Sequence, residues 1–109
     1  MSATWILRMD EPGTGPRVAI KDLIDIAGTP TTAACPVLAR RAVPAERDAA
    51  CLAGLRAADV AIVGKANQHE LACGGTGINH HFGTPVNPFD PACIPGGSSS
   101  GSAVGLSIR

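Results

Sequence analysis

Two short apolar runs on either side of an Ala- and Leu-rich stretch dominate the hydrophobic pattern of this chain. The runs RVAIK at 17–21 and VAIVGK at 60–65 are each typical of a buried strand. Between them, Pro44 suits the first turn of a helix, and residues 46–58 place apolar side chains on one side of it. These apolar positions are Cys51, Leu52, Leu55 and Ala58. The pattern predicts a strand–helix–strand unit with parallel strands.

Turn residues, rather than a regular period, fill the segments outside this unit. Residues 1–14 are predicted to be an irregular lead-in, which leaves 15–109 as the folded part. Residues 67–95 are rich in Gly, Pro, Asn and His, so we expect a long loop with one short helix at 69–73. Residues 102–106 predict the start of a further helix. A loop of that length in a compact protein is usually functional.

The composition of the chain limits the number of domains, the kinds of partner and the cellular location that we expect. A chain of 109 residues suits one domain, and its aromatic content of 3% predicts a thin core. Nine basic residues balance nine acidic ones without a basic stripe, which argues against nucleic acid or an anionic membrane as partner. No apolar run is long enough for a membrane span, and the first residues lack a secretory pattern. We therefore expect a cytoplasmic protein.

The cysteines and histidines do not form a metal-binding pattern. Cys35, Cys51, Cys73 and Cys93 include no CxxC pair, and no histidine is spaced to join them on one element. We predict no metal site and four reduced thiols, most of them buried.

The sharpest candidate for chemistry is the run GGSSSGSA at 96–103. Glycines let a backbone approach a ligand closely, serines supply hydroxyls, and the start of a helix exposes free N–H groups. A helix N-cap or a flexible linker would have the same composition. A phosphate-binding loop would need Gly-Lys-Ser/Thr at the end of the run, where this chain has Gly101-Ser102-Ala103.

Three segments in order resemble the amidase signature family of serine hydrolases. They are VAIKDLIDIAGTPTT at 18–32, VGKANQHELA at 63–72 and NPFDPACIPGGSSSGSA at 87–103. The resemblance covers roughly residues 15–106 and implies an α/β fold, a mixed sheet covered by helices. Members of the family are much longer, so we expect this chain to correspond to an N-terminal portion of one.

The family uses a Ser, cis-Ser, Lys triad, and the resemblance assigns two of its members. Lys21 takes the place of the lysine and Ser98 that of the bridging serine, with Gly97–Ser98 as the cis peptide bond. The acyl-accepting serine is expected beyond Arg109, so the domain is predicted to be truncated before its nucleophile and inactive alone. Ser107 lies in a tail that echoes the nucleophile motif, but only nine positions after Ser98.

The chemistry of an amide explains why a lysine would be needed. A serine must lose its proton as it attacks an amide carbon, and a lysine can accept that proton only when desolvation or nearby positive charge keeps it neutral. Lys21, at the end of an apolar run, suits this role, although an exposed strand-end lysine near Asp22 is the alternative. Lys65, close to Asn67 and Glu70, suits a structural ion pair or loop anchor.

The resemblance also suggests a substrate class and leaves several functions open. Ala72, Cys73, Gly74 and Gly75 resemble a segment bordering the acyl pocket, with a plain Gly-rich turn as the alternative. The expected partner is a small-molecule amide, and the triad chemistry needs no cofactor. A glutamine-dependent amidotransferase subunit, which would bring a nucleic-acid partner, usually has an acidic residue at His69. A non-catalytic truncated remnant is the third possibility.

Overall fold

The computed structural model describes residues 2–107, and its centre is a mixed three-stranded sheet. Strands β1 (Trp5–Arg8), β2 (Arg17–Lys21) and β3 (Ala61–Ala66) lie in the order β1-β3-β2. β2 pairs with β3 in parallel, and β1 runs antiparallel along the other side of β3. The predicted parallel pair and the α/β fold class are confirmed.

Short helices connect and cover the sheet. They are α1 (Pro36–Arg41), α2 (Ala53–Ala57) and α3 (Ser100–Ser107), with 3₁₀ turns at Ala50–Leu52 and Glu70–Ala72. The predicted helix start at 102–106 is therefore confirmed as part of α3, and the short helix expected at 69–73 is one 3₁₀ turn. The apolar core is small and lies around β2 and β3. Its buried members are Ile20, Ile26, Leu52, Val60 and Ile62.

The long helix predicted over 46–58 is wrong. Helical structure begins only at Ala50, because the preceding residues are hydrogen bonded to the loop after β2. The Ala45 N–H donates to the Thr29 carbonyl, and the Ala49 N–H donates to the Asp25 carbonyl. Those tertiary bonds hold 45–49 in a non-helical path although the side-chain period favours a helix. Pro36, rather than Pro44, is the proline at a helix start.

Two further expectations are corrected by the structure. The lead-in 1–14 is not wholly irregular, because β1 occupies Trp5–Arg8 and pairs with β3. All four cysteines are free, as expected, but only Cys35 is buried. The other three lie on surface segments, since the core is too small to cover them. No helix of the described residues is long and apolar enough to cross a membrane.

Asp48 fixes the loop that replaces the predicted helix, and this contact should depend on pH. Its carboxylate accepts hydrogen bonds from Arg56 Nε and from the Ala27 N–H, both at 2.8 Å. The Arg56 hydrogen bond, and then that of Ala27, lower the pKa of Asp48 below its usual value. Its stabilisation is therefore complete above the unfolded-state pKa and lost as pH falls through the lower folded-state pKa.

We expect Asp48→Asn to lower the free energy of unfolding by about 1 kcal/mol at pH 7, and the difference to shrink between about pH 4 and pH 2. Thermal melts followed by circular dichroism over this range measure it. Asp10→Asn, at an exposed carboxylate, is the control. An equal loss in both variants, or a difference that persists at pH 2, would contradict the role of Asp48.

Candidate active site

The structure brings Lys21 and Ser98 into direct contact. Lys21 is the last residue of β2, and its Nζ donates a hydrogen bond to Ser98 Oγ at 2.5 Å. A second bond of 3.0 Å runs from Lys21 Nζ to Ser99 Oγ. These residues are 77 and 78 positions apart in the chain, so only the tertiary fold joins them. The pair suggested by the sequence therefore has the geometry needed for proton transfer.

Ser98 is held by its backbone as well as its side chain. The His69 N–H donates to the Ser98 carbonyl at 2.9 Å, and the Gly97–Ser98 peptide bond is cis, as the resemblance implies. On either side, the Gly96 N–H donates to the Thr76 carbonyl and the Gly101 N–H donates to the Asn67 carbonyl. These bonds fix a Gly- and Ser-rich run that would otherwise be mobile.

The surroundings of Lys21 favour its neutral form. Its side chain is partly buried, and desolvation lowers the pKa of Lys21 below its ordinary value. Asp22, the next residue, does not bind Lys21. Its carboxylate lies 2.9 Å from Lys65 Nζ, in an ion pair that is fully buried on both sides. Lys65 therefore forms a structural ion pair, as its neighbours in the sequence suggested, but its partner is Asp22 and not Asn67 or Glu70.

The predicted substrate-binding segment lies next to Ser98. A Cβ atom at Gly97 would lie 3.7 Å from the Gly74 carbonyl oxygen, so the two segments are in contact. Cys73 and Gly75 are exposed, and Ala72 ends the 3₁₀ turn that begins at Glu70. The structure therefore places this segment at the border of the site, while its part in binding a substrate stays a prediction.

The remaining serines of the motif serve other purposes in the described structure. Ser100 Oγ is buried without a hydrogen-bond partner, and Ser102 lines a cleft together with Trp5 and Leu106. Ser107 donates to the Ala103 carbonyl within α3 at 3.0 Å. Ser107 lies seven positions after Ser100, a rise of about 10 Å along α3, and the contacts of Lys21 are with Ser98 and Ser99.

An open cavity of about 470 Å³ lies beside the loop that holds Ser98. Its lining includes His69 and Thr76, which bond to the 96–98 run through their backbones, together with His80 and His81. Among residues 2–107, no group of three or more His, Cys, Asp or Glu side chains could hold a metal ion. Pro36 and Ile78 add apolar surface to this lining, so the cavity is a candidate ligand space of mixed polar and apolar character.

Sequence reasoning identified the Lys21–Ser98 pair but missed the residues that position these two side chains. Asn67 is buried, and its side-chain amide donates to the Ala3 and Gly83 carbonyls. Through its own carbonyl it also anchors Gly101, at the start of α3. A polar residue directly after a buried strand was the available signal, because it must find partners once the strand ends.

Known proteins are similar to this chain in sequence and in fold. The family model described as Amidase matches residues 11–109. The chain is 45% identical over 98 residues to a glutamyl-tRNA(Gln) amidotransferase subunit from Geobacter sulfurreducens, a match that covers 90% of this chain and 20% of that protein. It is 42% identical over 98 residues to Amidase 1 of Oryza sativa subsp. japonica, covering 90% of this chain and 22% of the relative.

Solved structures lead to the same family. Allophanate hydrolase from Kluyveromyces lactis superimposes with a TM-score of 0.82 at 30% identity, covering 96% of this chain and 20% of that one. The fold, with a strand-end lysine facing a Gly- and Ser-rich loop, is that of the amidase signature enzymes. The chain belongs to the amidase signature family, and it spans about a fifth of the length of the curated relatives it matches.

Gly77 should be essential to the packing of the serine loop. It has a φ of +76°, and a Cβ there would lie 2.3 Å from the Gly96 carbonyl oxygen and 2.6 Å from Ser100 Cβ. We expect Gly77→Ala to lower the free energy of unfolding by about 2 kcal/mol, through backbone strain and overpacking. Thermal melts measure the loss. Gly75→Ala, where a Cβ meets nothing within 4 Å, is the matched control, and equal melting of both variants would contradict this packing.

Proposed function

We propose that this chain forms part of an amidase that hydrolyses a carboxamide to an acid and ammonia or an amine through a serine acyl-enzyme. The observation that carries the proposal is the 2.5 Å contact between Lys21 Nζ and Ser98 Oγ at the end of β2. A hydroxyl held by a partly desolvated amine is the arrangement that activates a serine nucleophile without histidine.

In this mechanism Lys21 is the base and Ser98 the relay. The neutral Lys21 amine accepts the Ser98 hydroxyl proton while Ser98 Oγ accepts the proton of the attacking serine. Reversal of the two transfers gives a proton to the leaving nitrogen, so that the amine departs neutral and the acyl group stays on the nucleophile. Water then hydrolyses the ester by the same path. Hydroxyls and one amine supply every proton, so no cofactor is needed.

We propose that none of the described serines accepts the acyl group. Ser98 is occupied as the relay, Ser100 is buried, and Ser107 donates within its own helix. Ser99 accepts a hydrogen bond from the same Lys21 amine, so we place it beside the base and not at the position of the nucleophile. The family pattern implies that the nucleophile of the active enzyme is a serine outside residues 2–107.

The proposed substrate is a small-molecule amide bound beside residues 72–75. Contact between Gly74 and Gly97 supports this, because it places that segment beside the proposed serine relay. The balanced charge of the chain supports a small-molecule partner over nucleic acid. A cytoplasmic location completes the proposal.

A glutamine-dependent amidotransferase subunit is the second candidate function. The 45% identity to the Geobacter sulfurreducens protein favours it, since that relative carries this name. His69 stands against it, because the amidotransferase pattern implied by the resemblance has an acidic residue there. A test with glutamine in the presence and absence of partner subunits separates this function from hydrolysis by a stand-alone amidase.

Amide hydrolysis by the protein encoded by the complete gene, compared with residues 1–109 alone, tests the proposal. We expect activity only from the complete product, and Lys21→Ala and Ser98→Ala should each lower kcat/KM by about 10²–10⁴-fold because the proton relay is lost. Release of ammonia measures the rate.

Ser107→Ala is the matched control, since Ser107 is exposed and its hydroxyl donates to the Ala103 carbonyl within α3. It should leave the rate unchanged. Activity that survives Lys21→Ala would contradict the assigned base. A complete product that hydrolyses no amide would instead support the non-catalytic alternative.

The pH profile of the active protein should report Lys21. Because the base must be neutral, kcat/KM should rise with pH and level off above the pKa of Lys21, which desolvation places below that of an ordinary lysine. Rates from about pH 6 to pH 11 define this limb. A limb that coincides with the pKa of a free lysine would be inconsistent with a desolvated base.

A further inference from the structure

Asp22, the residue after the candidate base Lys21, forms a buried ion pair with Lys65. Lys65 and Asp22 are both fully buried, with Lys65 Nζ 2.9 Å from Asp22 Oδ1. Lys65 Nζ also donates to Thr31 Oγ1 at 2.8 Å and to the Pro30 carbonyl at 3.3 Å. The other carboxylate oxygen of Asp22 accepts from the hydroxyl and the N–H of Thr32. Among the described residues, Asp22 Oδ1 has no hydrogen-bond partner, so the ion pair with Lys65 is the contact that compensates its charge.

Stability alone does not explain such a pair. Removing two charges from water costs several kcal/mol per ion, and a well-packed apolar pair is often as stable or more so. This pair also lies in a chain whose apolar core is small. Its location is informative: Asp22 follows Lys21 in sequence, and Lys65 lies opposite Ile20 in the parallel register of β2 and β3.

The ion pair gives the two lysines of the chain different environments. Asp22 is the carboxylate adjacent to Lys21, and if it were free it would attract the Lys21 ammonium and stabilise its charged form. Lys65 occupies this carboxylate from the neighbouring strand. Among residues 2–107, the side-chain partners of Lys21 are two hydroxyls, those of Ser98 and Ser99.

We propose that Lys65 is a positioning residue. By binding Asp22, it keeps the Lys21 amine directed at Ser98 and favours the neutral form of that amine. The inference rests on the proposed function, in which Lys21 is the base. Charged and titratable groups come from three of the elements around Lys21. β3 contributes Lys65, the loop after β2 contributes Asp22, and the loop after β3 contributes His69, whose N–H binds the Ser98 carbonyl. Helix α3 contributes no charge.

The chain contains only two lysines, which makes a direct titration of Lys21 feasible. Competitive acetylation with acetic anhydride over a range of pH, resolved by peptide mass spectrometry, gives the labelling rate and pKa of the Lys21 amine without any turnover. The variants are Lys65→Gln and Lys65→Met, each alone and combined with Asp22→Asn. Lys65→Arg, which keeps the charge, is the conservative control. Circular dichroism establishes that each variant is folded.

We expect Lys65→Gln and Lys65→Met to slow Lys21 labelling at pH 8 by about tenfold, which is the effect of raising its pKa by one unit. Adding Asp22→Asn should return the rate to within about twofold of the parent, because no carboxylate is then left to compete. Lys65→Arg should also remain within about twofold. A merely structural role would not give this reversal.

Unchanged labelling in the single variants, or an equal change in the single and double variants, would overturn the proposal. If neither uncharged single variant folds, Lys65→Arg decides, since a tenfold change with the charge retained would equally overturn it. Failure of the proposed function shows differently. Hydrolysis by the complete protein would then be absent or indifferent to Lys21→Ala, while the labelling of Lys21 still responds to Lys65.

Discussion

The parallel pairing of β2 with β3 is the constraint on which the site depends. Parallel strands end at the same edge of a sheet, so Lys21 and Ala66, which are paired in the register, deliver their following residues to one place. From β2 this edge receives the amine of Lys21. From β3 it receives Asn67 and His69, whose backbones hold Gly101 and Ser98. One register thus sets the separation of two groups that are 77 residues apart in the chain.

Glycines at the site allow the segments that this register brings together to come into direct contact. At Gly77 a side chain would collide with the Gly96 carbonyl, and at Gly101 one would lie within 2.6 Å of the Asn67 backbone. The loop, the strand end and the start of α3 can therefore approach only where no Cβ intervenes. The flexibility that glycine brings is removed by bonds from neighbouring segments, so the Gly/Ser run is ordered by its surroundings and not by its own composition.

The local sequence pattern was sufficient to predict the elements that are stabilised by nearby residues. It failed where tertiary hydrogen bonds determine the backbone conformation. Both buried strands and the start of α3 follow from apolar runs and small residues. The helix expected over 46–58 fails because the loop at 25–29 takes the backbone groups of Ala45 and Ala49. Lys65 has Asn67 and Glu70 nearby in sequence, yet its partner is Asp22, because parallel pairing brings a residue 43 positions away to its side. The Lys21–Ser98 pair came from family resemblance, since no period in the chain encodes a contact of that range.

A polar interior suits a site of this kind better than a larger apolar core would. Five polar side chains are buried, and several of them hydrogen bond to backbone carbonyls of the loops: Asp22, Lys65, Asn67, Gln68 and Asn79. Apolar contacts are non-directional and tolerate sliding, whereas hydrogen bonds fix distance and angle. Proton transfer between an amine and a hydroxyl needs that precision of placement. Because buried polar groups add less stability than apolar ones when their networks are incomplete, the structure gives up part of its stability to hold Lys21 and Ser98 at a fixed separation.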